Sequence, residues 1–326
     1  LVEYTNKGGS LTINGAQINV GASNAEYKTT STKLSAQTIY ANKLNSSAGE
    51  YIVEFAEQYY SDLVLKSNQS DDFGRPAHTW LYDNKEIGTY VDTDLLAVEY
   101  TAAAKGKTIY SDINYKSIDD YSVTWFVDGV EQTAANVKAE VAKLTKTNDK
   151  DAFASGKGVL TQVFVNDDAE EIVVVTVNTY LAKVSSDYSE KNENLKAVVY
   201  KNGELNKTVK LENVENVADF KKDDFVLVTM ANGVVMSMAK AEVIADATIT
   251  SYSTKDTTTD SNTTTSGNKM TKITVAGTKY EAAASAYYDN DALTNYAPEK
   301  LDDVTYNVYL DQYGYVIGLE EAEAAS

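Results

Sequence analysis

Short runs of apolar and β-branched residues, each closed by a turn signal, recur along most of the chain. Such runs are typical of β-strands, because branched and aromatic side chains pack well on a pleated sheet. Asn-Gly or Asp-Gly stands between several paired runs and supplies the two positive φ values of a type I′ hairpin turn. We therefore predict a mainly β fold built from hairpins, with turns at 14–15, 128–129, 202–203 and 232–233.

Helical spacing is rare. Residues 134–144 place Val137, Val141 and Leu144 three or four positions apart, with lysine and glutamate elsewhere. This spacing predicts one amphipathic helix, with its apolar stripe facing a core. A short helical turn is expected within 216–223, so the few helices serve as connections between strands.

Two tracts near the C-terminus resemble each other. Each begins with Lys-x-Asp-Asp, at Lys221 and at Lys300, and continues with a strand, a glycine turn and a second strand. Further strands and a polar loop precede each tract, so the order is three strands, a short helix or loop, and two strands. This order matches a five-stranded barrel of the OB type, or a similar small barrel or sandwich.

The chain is accordingly divided into three parts. Residues 1–157 form an N-terminal β-rich region that includes the helix near 134–144, residues 158–243 form a β module, and residues 244–326 repeat that module. Tandem copies favour a structural or binding array over an enzyme, because active sites seldom occur in tandem.

Composition excludes several classes of function. The chain of 326 residues has no cysteine, one histidine and a formal charge of −19, which excludes a thiol nucleophile, a disulfide framework and a site with several histidines. The charge opposes binding to nucleic acid, and no run approaches the ~18 apolar residues of a membrane span. Neither a phosphate-binding loop nor a Gly-x-Ser-x-Gly elbow is present. We expect no enzyme and no organic cofactor.

Rare residue types concentrate between positions 74 and 80. As a ligand platform, this segment would use Trp80 to stack on a sugar and Arg75 to bind a carboxylate. Trp125, the other tryptophan, opens a second hairpin and is the further ligand candidate. The alternative is a structural turn, with Arg75 paired to a neighbouring aspartate and Trp80 in a core.

Acidic pairs offer candidate cation ligands. Calcium takes several oxygen ligands, which carboxylates supply. The spacing does not match the calcium loop of an EF-hand, and ordinary solvated loops are the alternative interpretation. The metal candidates are Asp71, Asp72, Asp289 and Asp291.

Three segments together resemble a known family. Residues 71–90, 177–184 and 308–318 are similar to the non-anchoring region of large exported Firmicutes proteins that carry S-layer homology domains. In that family the anchoring domains bind cell-wall polymer, and the remainder forms the displayed surface. This chain shows no anchoring repeat, so the resemblance implies display at the surface but neither wall binding nor catalytic residues.

These observations predict a non-catalytic structural component of the bacterial cell surface. It would lie outside the cell, with signal and anchoring segments elsewhere in the parent protein. Its partners would be envelope neighbours or further copies of itself, and its acidic surface would attract divalent cations such as Ca²⁺. A carbohydrate-binding or host-adhesion module is the alternative, and an extracellular hydrolase is the weakest of the three.

Overall fold

The structure of the chain is a computed structural model. It describes residues 10–13, 16–19, 33–34, 37–45, 50–58, 63–82, 85–92, 95–100, 118–144, 152–256, 268–288 and 304–322.

Strands dominate the described residues, as predicted, and one α-helix, α1, spans Ala134–Leu144. Three-residue 3-10 turns occupy Ala152–Ala154 and Val217–Asp219. The strands are β1 (Ser10–Ile13), β2 (Ala16–Asn19), β3 (Lys33–Leu34), β4 (Gln37–Asn45), β5 (Glu50–Gln58), β6 (Leu63–Ser70), β7 (Pro76–Tyr82), β8 (Lys85–Val91), β9 (Leu96–Tyr100), β10 (Ser122–Val127), β11 (Val130–Glu131), β12 (Leu160–Asn166), β13 (Glu171–Val177), β14 (Thr179–Val184), β15 (Asn194–Tyr200), β16 (Glu204–Lys210), β17 (Phe225–Ala231), β18 (Val234–Lys240), β19 (Glu242–Ala247), β20 (Ile249–Asp256), β21 (Asn268–Val275), β22 (Thr278–Tyr288), β23 (Tyr306–Leu310) and β24 (Val316–Glu321).

The chain divides into two compact units. The first consists of Leu1–Asp71 and Pro76–Thr93, and the second of Asp72–Arg75 and Asp94–Ser326. The first unit contains the hairpins β1–β2 and β4–β5 and a sheet with the order β3-β6-β7-β8. Within its described residues, the second unit contains three sheets.

The first sheet of the second unit has the order β11-β10-β13-β12-β9. Strands β10 and β13 are parallel, so the chain must cross over between them, and α1 lies in that crossover. The apolar stripe of the helix packs on the sheet as predicted: Leu144 is fully buried, and Val137 and Val141 pack on the same core.

The next five strands form an open barrel, here called the first barrel (β14–β18). Its order is β16-β15-β14-β17-β18, so the first strand of the module pairs with both the second and the fourth, as in an OB fold. Strands β16 and β18 stand at the two edges, and a 3-10 turn connects β16 to β17. A core of valines, with Leu195, Phe220 and Met230, fills its interior.

The last six strands form the second barrel (β19–β24). Strands β19 and β20 follow each other directly: β19 pairs with β23, and β20 pairs with β21. Strand β22 pairs in parallel with β24, which joins the third and fifth strands of the module as OB closure requires. The tandem β modules predicted from the repeat are therefore present.

The connections between these parts are very short. Only Asn178 lies between β13 and β14, and only Ala241 lies between β18 and β19. The boundary between the first sheet of this unit and the first barrel lies after Val177 rather than at residue 158. The reason is that β12 pairs with β9 and β13 pairs with β10. The repetition in sequence marks only the barrels, so it did not reveal that 158–177 complete the preceding sheet.

The predicted hairpin turns are confirmed where they are described. Asp128-Gly129, Asn202-Gly203 and Asn232-Gly233 all have positive φ at both positions. Strands β1 and β2 also pair around 14–15. Asparagine and aspartate tolerate this conformation better than other residues with a side chain, and glycine adopts it freely.

Candidate functional site: the seam between the barrels

Apolar side chains from the two barrels meet in one buried cluster, here called the seam. Leu181 and Leu227 come from the first barrel. Gly318, in the middle of β24, allows the Leu181 side chain to pack directly on this strand: a Cβ atom there would lie 2.3 Å from Leu181 Cδ2 and 3.2 Å from the Tyr287 carbonyl oxygen of the neighbouring strand β22. The second barrel contributes Ala283, Tyr309 and Ile317.

Two aromatic pairs cross the seam. The rings of Tyr200 and Tyr287 are stacked, with centroids 4.3 Å apart and planes 9° from parallel. The rings of Phe225 and Tyr309 are stacked in the same way, at 4.2 Å and 21°. Each pair has one ring from each barrel. Because stacked rings have a preferred geometry and apolar contacts do not, the two pairs help to fix the orientation of one barrel on the other.

Polar contacts flank the apolar cluster. Gln312 Nε2 donates a hydrogen bond to Thr179 Oγ1 at 3.1 Å. The Ser285 hydroxyl donates to the backbone carbonyl of Thr179. Because Thr179 is the first residue of β14, these bonds hold the start of the first barrel against β22 and the β23–β24 turn.

A small open cleft, with a cavity volume of about 70 Å³, lies along the seam. Its walls are mainly aromatic and aliphatic with a few polar groups, and it lies at a module boundary, as small-molecule sites often do. Its lining residues are Leu181, Tyr200, Glu204, Phe225, Tyr287, Tyr309, Leu319 and Glu320.

Glu320 organises the charged side of the cleft. It accepts a hydrogen bond from the Tyr309 hydroxyl at 3.0 Å and lies 3.7 Å from Lys183 Nζ. The same ammonium group stands 5.1 Å from the centroid of the Phe225 ring. Burial, together with the nearby Glu320 carboxylate, raises the pKa of Tyr309 far above its ordinary value. The phenol therefore remains a proton donor.

A buried carboxylate fastens the first sheet of this unit to the first barrel. Asp128 is only 3% exposed, and its Oδ2 accepts hydrogen bonds from Tyr180 Oη at 2.6 Å and from Lys201 Nζ at 3.1 Å. Its Oδ1 accepts from the backbone N–H of Asn178 at 2.9 Å. Burial and the adjacent carboxylate raise the pKa of Tyr180 far above its ordinary value, so the hydroxyl keeps the proton it donates.

Neither Arg75 nor Trp125 lines this cleft. The Arg75 guanidinium lies 5.0 Å from the Phe73 ring centroid, and Gly74 sits against the Phe126 ring, which fits the alternative of a structural turn. Trp125 is 8% exposed, and its Nε1 donates to Thr176 Oγ1 at 2.9 Å. The expectation of a ligand-facing Trp125 is therefore corrected, because its side of β10 faces the core. The Trp80 side chain lies outside the described residues.

The structure describes two of the four predicted metal residues, Asp71 and Asp72. Asp71 and Asp72 fall on opposite sides of the boundary between the two units, and the Asp72 carbonyl accepts a bond from Asn232 Nδ2 at 3.3 Å. Asp289 and Asp291 lie outside the described residues. In the part of the chain that the structure describes, no three histidine, aspartate or glutamate side chains gather where they could hold a metal ion.

None of the seam residues was singled out from the sequence. One usable signal was present: a glycine inside a strand often marks a close approach of another backbone or side chain. In the aligned repeat, Gly318 follows Ile317 where the first copy has Ser237 after Met236. The chain has 24 tyrosines, and no local sequence feature distinguishes Tyr200 and Tyr287 from the others.

Within the described ranges, no helix has the length and apolar character needed to cross a membrane. Compared with known proteins, the chain matches no family model and no curated protein.

Proposed function

We propose that this chain is a non-catalytic structural component of a bacterial cell surface, of the S-layer type, displayed outside the cell. The observation that carries the proposal is the seam, because it joins successive barrels through apolar, stacked and hydrogen-bonded contacts. A spacer with mobile modules would not need such contacts. The Asp128 contacts extend the same rigid coupling to the preceding sheet. The resemblance to S-layer homology proteins supplies the cellular context.

Exposed hydrophobic residues suggest how copies would associate. Val130 and Val234 are 51% and 42% exposed, and they lie on β11 and β18, each at the edge of a sheet. Edge strands present unpaired backbone groups and readily join a neighbouring chain. Acidic surfaces facing each other would repel, so we propose that Ca²⁺ bridges or screens them in the assembly.

Sedimentation velocity of the whole chain tests the assembly. We expect larger species with millimolar Ca²⁺ than with EDTA, and electron microscopy should show ordered arrays. Val234→Lys should reduce the assembled fraction roughly tenfold, because a charged edge strand opposes pairing. Asn192→Lys adds the same charge in an exposed turn and serves as the control. A monomer under every condition, or equal loss in both variants, would contradict assembly through strand edges.

The cleft favours a second candidate, a carbohydrate-binding module. Aromatic rings and carboxylates in an open cleft are the groups that bind sugar faces and hydroxyls. If soluble cell-wall glycan fragments bind there, Tyr287→Ala should weaken binding about tenfold in calorimetric titrations. Tyr313→Ala, on a half-buried tyrosine in the β23–β24 turn, is the matched control. Equal affinity in the wild type and Tyr287→Ala would exclude the cleft as the site.

A further inference from the structure

We propose that Tyr200 and Tyr287 are a site of oxidative cross-linking that joins the two barrels covalently. In this modification, a one-electron oxidant derived from a peroxide links the two phenol rings through a carbon–carbon bond between their ortho carbons. The product is a dityrosine bridge across the seam. This inference is independent of the surface function proposed above.

The geometry selects these two rings. Their centroids are 4.3 Å apart and their planes are within 9° of parallel. Two phenoxyl radicals held in this way meet without diffusion, which gives intramolecular coupling a large advantage over coupling between molecules. Both tyrosines line the open cleft, so a small oxidant in solvent reaches them.

The step balances with a peroxide as the electron acceptor. Each phenol loses one electron and one proton and becomes a phenoxyl radical. The two radicals form one carbon–carbon bond, and the hydrogen on each bonded carbon then moves to oxygen to restore the aromatic rings. The two electrons cleave one peroxide O–O bond, and the two protons pass to its oxygens or to water. The protein loses two hydrogen atoms.

Few other side chains of the described seam compete for the oxidant. The chain has no cysteine, and none of the residues that line the cleft is a methionine or a tryptophan. These are the side chains that are usually oxidised first when exposed. An oxidant that enters the cleft therefore meets tyrosine.

The experiment is photo-oxidation of the dilute whole chain with ruthenium tris-bipyridyl and persulfate. We expect a monomeric product lighter by the mass of two hydrogen atoms, with blue dityrosine fluorescence and a cross-linked peptide containing Tyr200 and Tyr287. Tyr200→Phe and Tyr287→Phe keep a stacked ring but remove one phenol, so each should abolish this bridge and lower the total yield of cross-linked monomer roughly tenfold. Tyr121→Phe, just before β10 and away from the cleft lining, should keep the wild-type yield.

A gain-of-function variant tests the geometric argument. Phe225 stacks on Tyr309 at 4.2 Å, in the same arrangement but with one phenol. Phe225→Tyr should therefore add a second bridge and double the loss of hydrogen. The proposal is overturned if both phenylalanine variants give as much cross-linked monomer as the wild type, or if only intermolecular dimers form. It is also overturned if the wild type spreads its links over other tyrosines and Phe225→Tyr adds no bridge.

Discussion

Gly318→Val is expected to lower the free energy of unfolding by about 3 kcal/mol, because overpacking a filled interface forces side chains and backbone to shift. A Cβ at this position would lie 2.3 Å from Leu181 Cδ2, and Leu181 is itself 2% exposed. The clash could instead be relieved by separation of the two barrels at the seam. Urea titration measures the free energy of unfolding, and loss of near-ultraviolet circular dichroism from the stacked tyrosines would report separation of the barrels.

Gly88→Val is the matched control. Gly88 also lies within a strand, and a Cβ there would meet nothing within 4 Å, so we expect a change within about 0.5 kcal/mol. Adding Leu181→Ala to Gly318→Val removes the clashing atoms, and the two changes should couple favourably by about 1–2 kcal/mol. Unchanged stability and dichroism in Gly318→Val would contradict the close packing of the seam.

Asp128→Ala is expected to lower the free energy of unfolding by about 3–5 kcal/mol, because the change leaves buried partners without their charged acceptor. The Tyr180 hydroxyl, Lys201 ammonium and Asn178 N–H all donate to this carboxylate. Asp128→Asn keeps one carbonyl oxygen and should cost less. Denaturant titration followed by tyrosine fluorescence measures both variants.

The backbone contribution needs its own control, because Asp128 has a φ of +48°. Asp223 has a φ of +71° and an exposed side chain, so Asp223→Ala has the same kind of strain without the buried contacts. We expect Asp223→Ala to cost about 1 kcal/mol. Equal losses in the two alanine variants would show that strain, and not the hydrogen bonds, accounts for the effect at Asp128.

Local patterns predicted the elements well, and long-range contacts account for what they missed. Asn-Gly and Asp-Gly identified hairpins because turn geometry depends on neighbouring residues. The repeat identified the barrels because both copies have the same Lys-x-Asp-Asp entry and glycine turn in their last hairpin. The seam depends on which outer faces of two barrels meet, and no local pattern records that. Asp128 shows the same limit. The Asp-Gly turn signal predicted its place in a hairpin turn, but it did not reveal that the side chain is buried.

Trp125 illustrates a related difficulty. A strand alternates its faces every residue, so the sequence placed Trp125 on a strand but could not say which face was covered. Helix α1 and the 3-10 turn near Phe153 cover it, and the Trp125 and Phe153 rings meet edge to face at 5.5 Å. The covering residues follow later in the chain, so only the crossover topology reveals them.

The single-residue connections at Asn178 and Ala241 have a mechanical consequence. A tether of one residue has no slack, so tension along the chain passes from β13 straight into β14 and from β18 straight into β19. The modules cannot absorb a pull by swinging apart, as domains on long flexible linkers do. Under load, the length of this part of the protein stays constant until the seam shears or a strand is pulled from its sheet.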